Sequence, residues 1–206
     1  MAVEQASFTY FDPKTGHHMP TDPTSGMTTM DIEDVASRIK ETAVLHGQFT
    51  LRSGRTSSYY IDKYLFSTRP DILRELGRLF TERIPEGTTR LAGAELGGIP
   101  LVTTACMSSG IPCIFIRNSR KEYGTSKQME GQLEDGDSVV ILEDVATTGG
   151  QAIEAASIIK EAGGTVSMII SVIDRLEGAR ENIEAEGIRF ESLFTTRDLG
   201  LAGADD

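Results

Sequence analysis

Cysteine is scarce in this chain: Cys106 and Cys113 are the only two in 206 residues. Two thiols cannot build a disulfide framework, and no further Cys or His lies near them at metal-ligand spacing. Both sit in apolar settings, TTACMSS and IPCIFI, as small core residues in a reducing compartment would. Long apolar runs are missing as well. Nothing approaches the ~20 residues of a membrane-spanning helix, and the first residues lack the basic-then-apolar pattern of a secretory signal. The expectation is a cytoplasmic protein without a membrane segment. Positive charge is the third shortage: 20 Lys and Arg stand against 31 Asp and Glu, a formal net charge of −11. Nucleic-acid backbones and anionic lipid surfaces both demand a concentrated cationic face, which argues against either as a partner. A well-solvated cytosolic surface fits better. Internal repeats and low-complexity tracts are absent.

What is present is ordinary globular material. Apolar residues make up 39% and charged residues 25%, close to the average for folded domains, in a length that suits one domain with a real core. Residues 1–30 are rich in Pro, Gly, Thr and Asp without a sustained apolar period, and are expected to form a flexible N-terminal tail. His17 and His18 lie in it, and solvated side chains are a better reading of them than a metal site. Residues 31–206 are expected to form one domain. Asp31 should cap a helix with Ile32, Val35, Ile39 and Ala43 on one face, ending near Gly47. Extended pieces around Gln48–Leu51 and Tyr59–Tyr64 follow. Pro70 then opens a helix whose apolar stripe runs to Ile84.

Beyond residue 90, strands and helices alternate. Arg90–Gly93, Cys113–Arg117, Val139–Leu142, Val166–Ile173 and Phe190–Phe194 read as buried strands, and Ile99–Ser109, Gly150–Ala162 and Gly178–Glu186 as helices. Unbroken apolar strands separated by helices imply an α/β fold with a mostly parallel sheet covered on both faces. The exception is Asn118–Asp137, about 20 residues with little apolar content, and a loop of that length in a compact α/β domain is usually functional or mobile.

In such sheets, ligands bind beyond the carboxyl ends of the strands. Val139–Leu142 is followed by Glu143 and Asp144, then by Val145, Ala146, Thr147, Thr148, Gly149 and Gly150, with Gln151 entering a helix. Backbone N–H groups of such a turn, backed by a helix N-terminus, cradle a phosphate. Glycine permits the close backbone approach. Thr147 and Thr148 add hydroxyl donors. Glu143 and Asp144 can accept hydrogen bonds from vicinal ribose hydroxyls, directly or through hydrated Mg²⁺. An acidic pair and Gly-Gly also occur as plain cap and turn chemistry, and a lone TTGG would be read that way. The loop is neither a Walker A nor a GxGxxG motif. The whole string, VVILEDVATTGGQ, resembles the phosphoribosyl-pyrophosphate (PRPP) signature of type I phosphoribosyltransferases.

Further segments resemble the orotate branch of that family. In Phe49–Tyr64, FTLRSGRTSSYYIDKY, Arg52 and Arg55 place cations beside a turn, and Tyr59 and Tyr60 offer flat faces for a pyrimidine. A surface hairpin with one Tyr in the core would give the same pattern. Arg52 stands where many members carry Lys, which keeps the charge and changes its geometry. Ile116–Gly131, IRNSRKEYGTSKQMEG, concentrates Arg117, Arg120, Lys121 and Lys127 in an otherwise acidic chain. A mobile cationic lid can stabilise the charge that develops on departing pyrophosphate. Arg117, Lys121, Tyr123 and Gly124 fall on the family's catalytic-loop pattern, with Asn118 in place of an expected Lys. In SVIDRLEG, Arg175 ends a strand, where a guanidinium can pair bidentately with a carboxylate or simply close a salt bridge. Ala92–Ala105, AGAELGGIPLVTTA, resembles the pyrophosphate-contacting loop, although Leu96-Gly97 replaces the Tyr-Lys of many bacterial members.

Taken together, Asp31–Leu199 resembles the orotate phosphoribosyltransferases with its segments in the family's order. The resemblance implies a type I phosphoribosyltransferase fold: a mostly parallel central sheet flanked by helices, a small N-terminal hood at about 31–66 and a lid loop at 117–131. It implies Mg²⁺-dependent transfer of ribose 5-phosphate from PRPP to orotate, giving orotidine 5′-phosphate and pyrophosphate, in pyrimidine (UMP) biosynthesis. Under it, Arg117 and Lys121 are catalytic. Arg117, Lys121, Tyr123 and the run Glu143 to Gln151 bind PRPP, while Thr147, Arg175, Tyr60 and Arg52 bind orotate. Mg²⁺ is held mainly through PRPP and water, with no direct protein ligand. A homodimer that shares its lid loops is implied, with a separately encoded orotidine 5′-phosphate decarboxylase as a further partner. The alternatives are a phosphoribosyltransferase for another base, and a non-catalytic PRPP-sensing regulator. The regulator would want a basic or DNA-binding face, which this sequence lacks.

Overall fold

The computed structural model describes residues 8–12, 17–21, 29–50, 56–118 and 128–201. It divides into two units, Met1–Met30 and Asp31–Asp206. In the first unit, β1 (Phe8–Asp12) pairs antiparallel with β2 (His17–Thr21), Phe8 opposite Thr21 and Asp12 opposite His17. The composition points to an irregular tail, but FTYFD is locally rich in strand-forming aromatic and β-branched residues. At these ten positions the backbone is paired strand.

The second unit begins with α1 (Ile32–Ala43), which buries the expected stripe of Val35, Ala36, Ile39 and Ala43. Asp31 is the N-cap residue, yet its carboxylate makes no capping bond. The helix also stops short of Gly47, because extended Val44 enters β3 (Val44–Thr50), which pairs antiparallel with β4 (Thr56–Ile61). Ser57, Tyr59 and Ile61 alternate inward along β4, as a half-buried strand requires. The stretch read as extended up to Tyr64 instead turns into the short helix α2 (Lys63–Ser67), where Tyr64 N–H donates to the Asp62 carboxylate at 3.1 Å. Helix α3 (Pro70–Thr81) starts at Pro70 as expected and buries Ile72, Leu76, Leu79 and Phe80.

The central sheet then follows in alternation: β5 (Arg90–Ala94), α4 (Gly98–Ser109), β6 (Cys113–Ile116), β7 (Met129–Glu130), β8 (Ser138–Ala146), α5 (Gly150–Glu161), β9 (Thr165–Asp174), α6 (Ala179–Ala185) and β10 (Arg189–Thr195). Six strands lie in the order β10-β9-β8-β5-β6-β7, all parallel except β7, which runs antiparallel to β6. Val139, Val140, Ile141 and Leu142 of β8 are all fully buried, as the unbroken apolar run demands. On one face, Ile114, Ile141 and Ile169 pack with Ala152, Ala155 and Ile159 of α5. Cys106 and Cys113 are free and half-buried rather than fully in the core. Burial, followed by the adjacent Cys106, pushes the Cys113 thiol up to about 11. Among the described residues, no helix is long and apolar enough to cross a membrane.

This topology places the site. From β5 the chain passes through α4 to β6 on one side; from β8 it passes through α5 to β9 on the other. The strand order therefore reverses between the neighbours β5 and β8, and such a reversal opens a crevice outside their carboxyl ends.

Candidate active site

Strand β8 runs further than its apolar core, because pairing with β9 continues through Glu143 opposite Ser171 to Ala146 opposite Asp174. Glu143 and Asp144 are therefore strand residues, both buried, and not members of the turn. Val145 N–H donates to Asp144 Oδ1 at 2.6 Å, and Lys63 Nζ lies 2.8 Å from Asp144 Oδ2. Asp144 N–H donates to Glu143 Oε1 at 3.3 Å, while Glu143 Oε2 is buried without a hydrogen-bond partner among the described residues. Burial first, and the Asp144 charge second, push the Glu143 carboxyl up to about 8, since neither a dry pocket nor a like charge favours ionisation. For Lys63 burial pulls the other way, but the Asp144 carboxylate offsets it and the net shift is upward.

The turn after β8 leaves Thr147 and Thr148 exposed and brings Gly149 to φ 78°, where it caps α5. A Cβ at Gly149 would also meet Ile183 Cγ1 of α6 at 2.8 Å, so position 149 has neither the conformation nor the room for a side chain. Asn182 Nδ2 donates to the Thr148 carbonyl at 2.9 Å, which ties the turn to α6. The result is a cleft of about 310 Å³ lined by Glu143, Val145, Thr147, Thr148, Gly150 and Gln151. It is open to solvent, polar, and backed by the N-terminus of a long helix, which is the setting an anionic phosphate needs.

The loop after β5 lies against Asp144. Gly97 packs so closely on Asp144 that a Cβ there would overlap the carboxylate. Glu95 ties this loop to its neighbours: Asn118 N–H donates to Glu95 Oε1 at 2.7 Å, and Gln151 Nε2 donates to the Glu95 carbonyl at 3.2 Å. At the root of the expected lid, Arg117 N–H donates to the Gln128 carbonyl at 2.9 Å, and its guanidinium lies 3.4 Å from Glu130. Lys121, Tyr123 and Arg52 lie outside the described residues.

Arg175 follows β9, and its N–H donates to the Ala146 carbonyl at 2.9 Å, which sets it beside the start of the turn after β8. Its Nε lies 2.8 Å from Glu177, and its guanidinium sits 5.7 Å from the centroid of the Tyr59 ring. Tyr60 is 44% exposed and packs on Phe49, ring centroids 5.6 Å apart. Of the tyrosine pair, it is Tyr59 that meets Arg175. The sequence offered both flat faces and the resemblance singled out Tyr60; strand alternation was the signal that separates them. Lys63 and Glu95 were not singled out from sequence, because nothing local distinguishes a lysine or glutamate that pairs across such distances in the chain.

No family model matches the chain. Individual proteins do. The orotate phosphoribosyltransferase of Natronomonas pharaonis is 47% identical over 157 residues, covering 76% of this chain and 90% of that protein. That of Halobacterium salinarum is 44% identical over 168 residues, covering 81% and 95%. The chain belongs to the orotate phosphoribosyltransferase family. Among solved structures, orotate phosphoribosyltransferase of Mycobacterium tuberculosis H37Rv in complex with Fe(III) dicitrate matches with a TM-score of 0.76 at 34% identity. The same enzyme in complex with PRPP matches with a TM-score of 0.72 at 31% identity; each covers 84% of this chain and 100% of the other. Leishmania donovani adenine phosphoribosyltransferase, at 17% identity and a TM-score of 0.63, shares the fold alone. The architecture is the type I phosphoribosyltransferase fold, as the orotate phosphoribosyltransferase resemblance implied.

Proposed function

We propose that this chain transfers the ribose 5-phosphate group of PRPP to orotate, giving orotidine 5′-phosphate and pyrophosphate in pyrimidine biosynthesis. One observation carries the reading: Glu143 and the backbone turn after β8 line one cleft at the strand-order reversal, and Arg175 is bonded through its N–H to the Ala146 carbonyl at the start of that turn. The solved relative that binds PRPP supports it.

The N–H groups of Ala146–Gly150 take the 5′-phosphate, helped by the hydroxyls of Thr147 and Thr148 and by the N-terminus of α5. Val145 and Gln151 flank the turn and line the same cleft. Glu143 and Asp144 accept from the ribose hydroxyls. Arg117, Lys121 and Tyr123 serve the pyrophosphate, and Arg117 leaves Glu130 to do so. Arg175 pairs with the orotate carboxylate. Because Glu177 holds its Nε side, the two terminal nitrogens form the fork. Thr147, Tyr60 and Arg52 complete the base site. No protein nucleophile is required: an orotate ring nitrogen attacks C1 of the ribose as the C1–O bond to pyrophosphate breaks. Catalysis comes from alignment of the two substrates and stabilisation of the leaving charge.

The site also fits Mg²⁺. Its donors are hard carboxylate oxygens, and Glu143 Oε2 is a buried acceptor with no partner among the described residues. Glu143 and Asp144 would hold the hydrated ion through water, with PRPP supplying the rest, and the bound ion neutralises charge on the pyrophosphate. A cytoplasmic homodimer with shared lids, working beside a separate orotidine 5′-phosphate decarboxylase, completes the proposal. The test is pyrophosphate release from PRPP and Mg²⁺ with orotate or uracil. Release with orotate alone is the expected result. Release with uracil alone assigns another base, and binding of PRPP without release under either base assigns a regulator.

A further inference from the structure

We propose that Lys63 is a positioning residue for the sugar phosphate: from the hood, its ammonium orients Asp144 in the crevice and remains beside bound PRPP as part of its anion-binding field. This rests on the assignment of Glu143 and Asp144 to the ribose. Lys63 is the first residue of α2, and its backbone is fixed at both ends. Asp62 N–H donates to the Ala43 carbonyl at 2.8 Å, and Phe66 is fully buried. Only the side chain crosses to β8.

The ion pair has an inner and an outer member. The Asp144 side chain is 2% exposed and that of Lys63 31%, so the carboxylate is enclosed while the ammonium sits at the boundary with solvent. An enclosed carboxylate such as that of Asp144 needs a cation. The facing loop cannot provide one, since Glu95-Leu96-Gly97-Gly98 carries no positive charge and Asp144 fills the space a side chain at 97 would need. Among the described residues, Lys63 is the one cation in an ion pair with Glu143 or Asp144. PRPP brings hydroxyls to Asp144 and several phosphate charges to the surrounding cleft. A lysine on a flexible four-carbon stem can share its three donors between Asp144 and those oxygens without moving α2.

The prediction separates the two substrates. In steady-state assays of pyrophosphate release, Lys63→Met is expected to raise the KM for PRPP roughly tenfold, the loss of about 1.4 kcal/mol of binding. The KM for orotate stays within about twofold, and Lys63→Arg restores most of the PRPP affinity. Thermal melts of each variant accompany the kinetics. Should Lys63→Met lose the fold, Lys63→Gln carries the same comparison. A PRPP KM within twofold of wild type, a lower one, or equal rises in both KM values with a matching loss of Tm would overturn the proposal. Absence of turnover in the wild-type protein instead overturns the functional reading beneath it.

Discussion

Glu143 is the residue whose chemistry the fold alters most. Its side chain is sealed against Asp144 at the carboxyl end of β8, and burial and that neighbour together push its carboxyl from an ordinary 4.5 to about 8. The folded chain therefore keeps a proton that the unfolded chain releases between these values, so the contribution of Glu143 to stability is full below pH 4.5 and is lost as pH rises through about 8. Glu143→Gln stays neutral throughout. In substrate-free thermal melts the variant should equal wild type near pH 4.5, and its relative stability should grow with pH and level off above about 8. A gap that does not change with pH would refute the shift. Arg175 supports a different kind of test, because its charge and its shape can be separated. Arg175→Lys keeps the cation and loses the planar fork, and an unpaired orotate oxygen should raise the orotate KM about tenfold with the PRPP KM little changed. At this scale the types of the central residues were legible, since an acidic pair, a Thr-Thr-Gly-Gly turn and a strand-end arginine announce their chemistry locally. The partners of Asp144 and Glu95 were not. Lys63 meets Asp144 across 81 positions of chain and Asn118 meets Glu95 across 23, and such pairings are products of topology.

Elements set the geometry that single residues use. The turn after β8 is held by α6, through the Asn182 bond to Thr148 and the contact that Ile183 would make with any side chain at 149. Gly149→Ala should therefore destabilise the protein by about 2–4 kcal/mol, the sum of left-handed strain and overpacking, as read by chemical denaturation. A second change, Ile183→Ala, removes the clash but not the strain, so the pair should be less destabilised than the two single losses added together. Simple additivity would mean that α6 does not press on the turn. The elements themselves were largely legible where apolar runs were long. The strands β5, β6, β8, β9 and β10 and the helices α4, α5 and α6 fall where the pattern puts them. The differences lie where pairing overrides composition. β8 extends through two acidic residues because β9 pairs with it to the end, α1 gives way to β3 because Val44 pairs with Ile61, and β1 pairs with β2 in a segment whose Pro and Gly content suggested irregularity.

For the molecule as a whole, the governing quantity is a formal net charge of −11. Like charges spread over a surface repel one another and weaken the compact state, and the unfolded chain relieves that repulsion by expanding. Screening removes the penalty: the Debye length falls from about 10 Å at 0.1 M salt to about 3 Å at 1 M. Stability should therefore rise with salt. The ion pairs on the surface act in the opposite direction, since screening weakens Arg180–Glu184 and Arg38–Asp71 as well. Exposed pairs of this kind contribute only ~0–1 kcal/mol each, however, and are outnumbered by unbalanced carboxylates. The buried pair of Lys63 with Asp144 is screened least, because Asp144 is enclosed. Melting the protein in KCl from 0.1 to 2 M at pH 7 should raise Tm steadily, with most of the gain below about 1 M, where the screening length changes fastest. A flat or falling Tm over that range would show that the carboxylate excess does not limit stability, and that the acidity serves solubility alone.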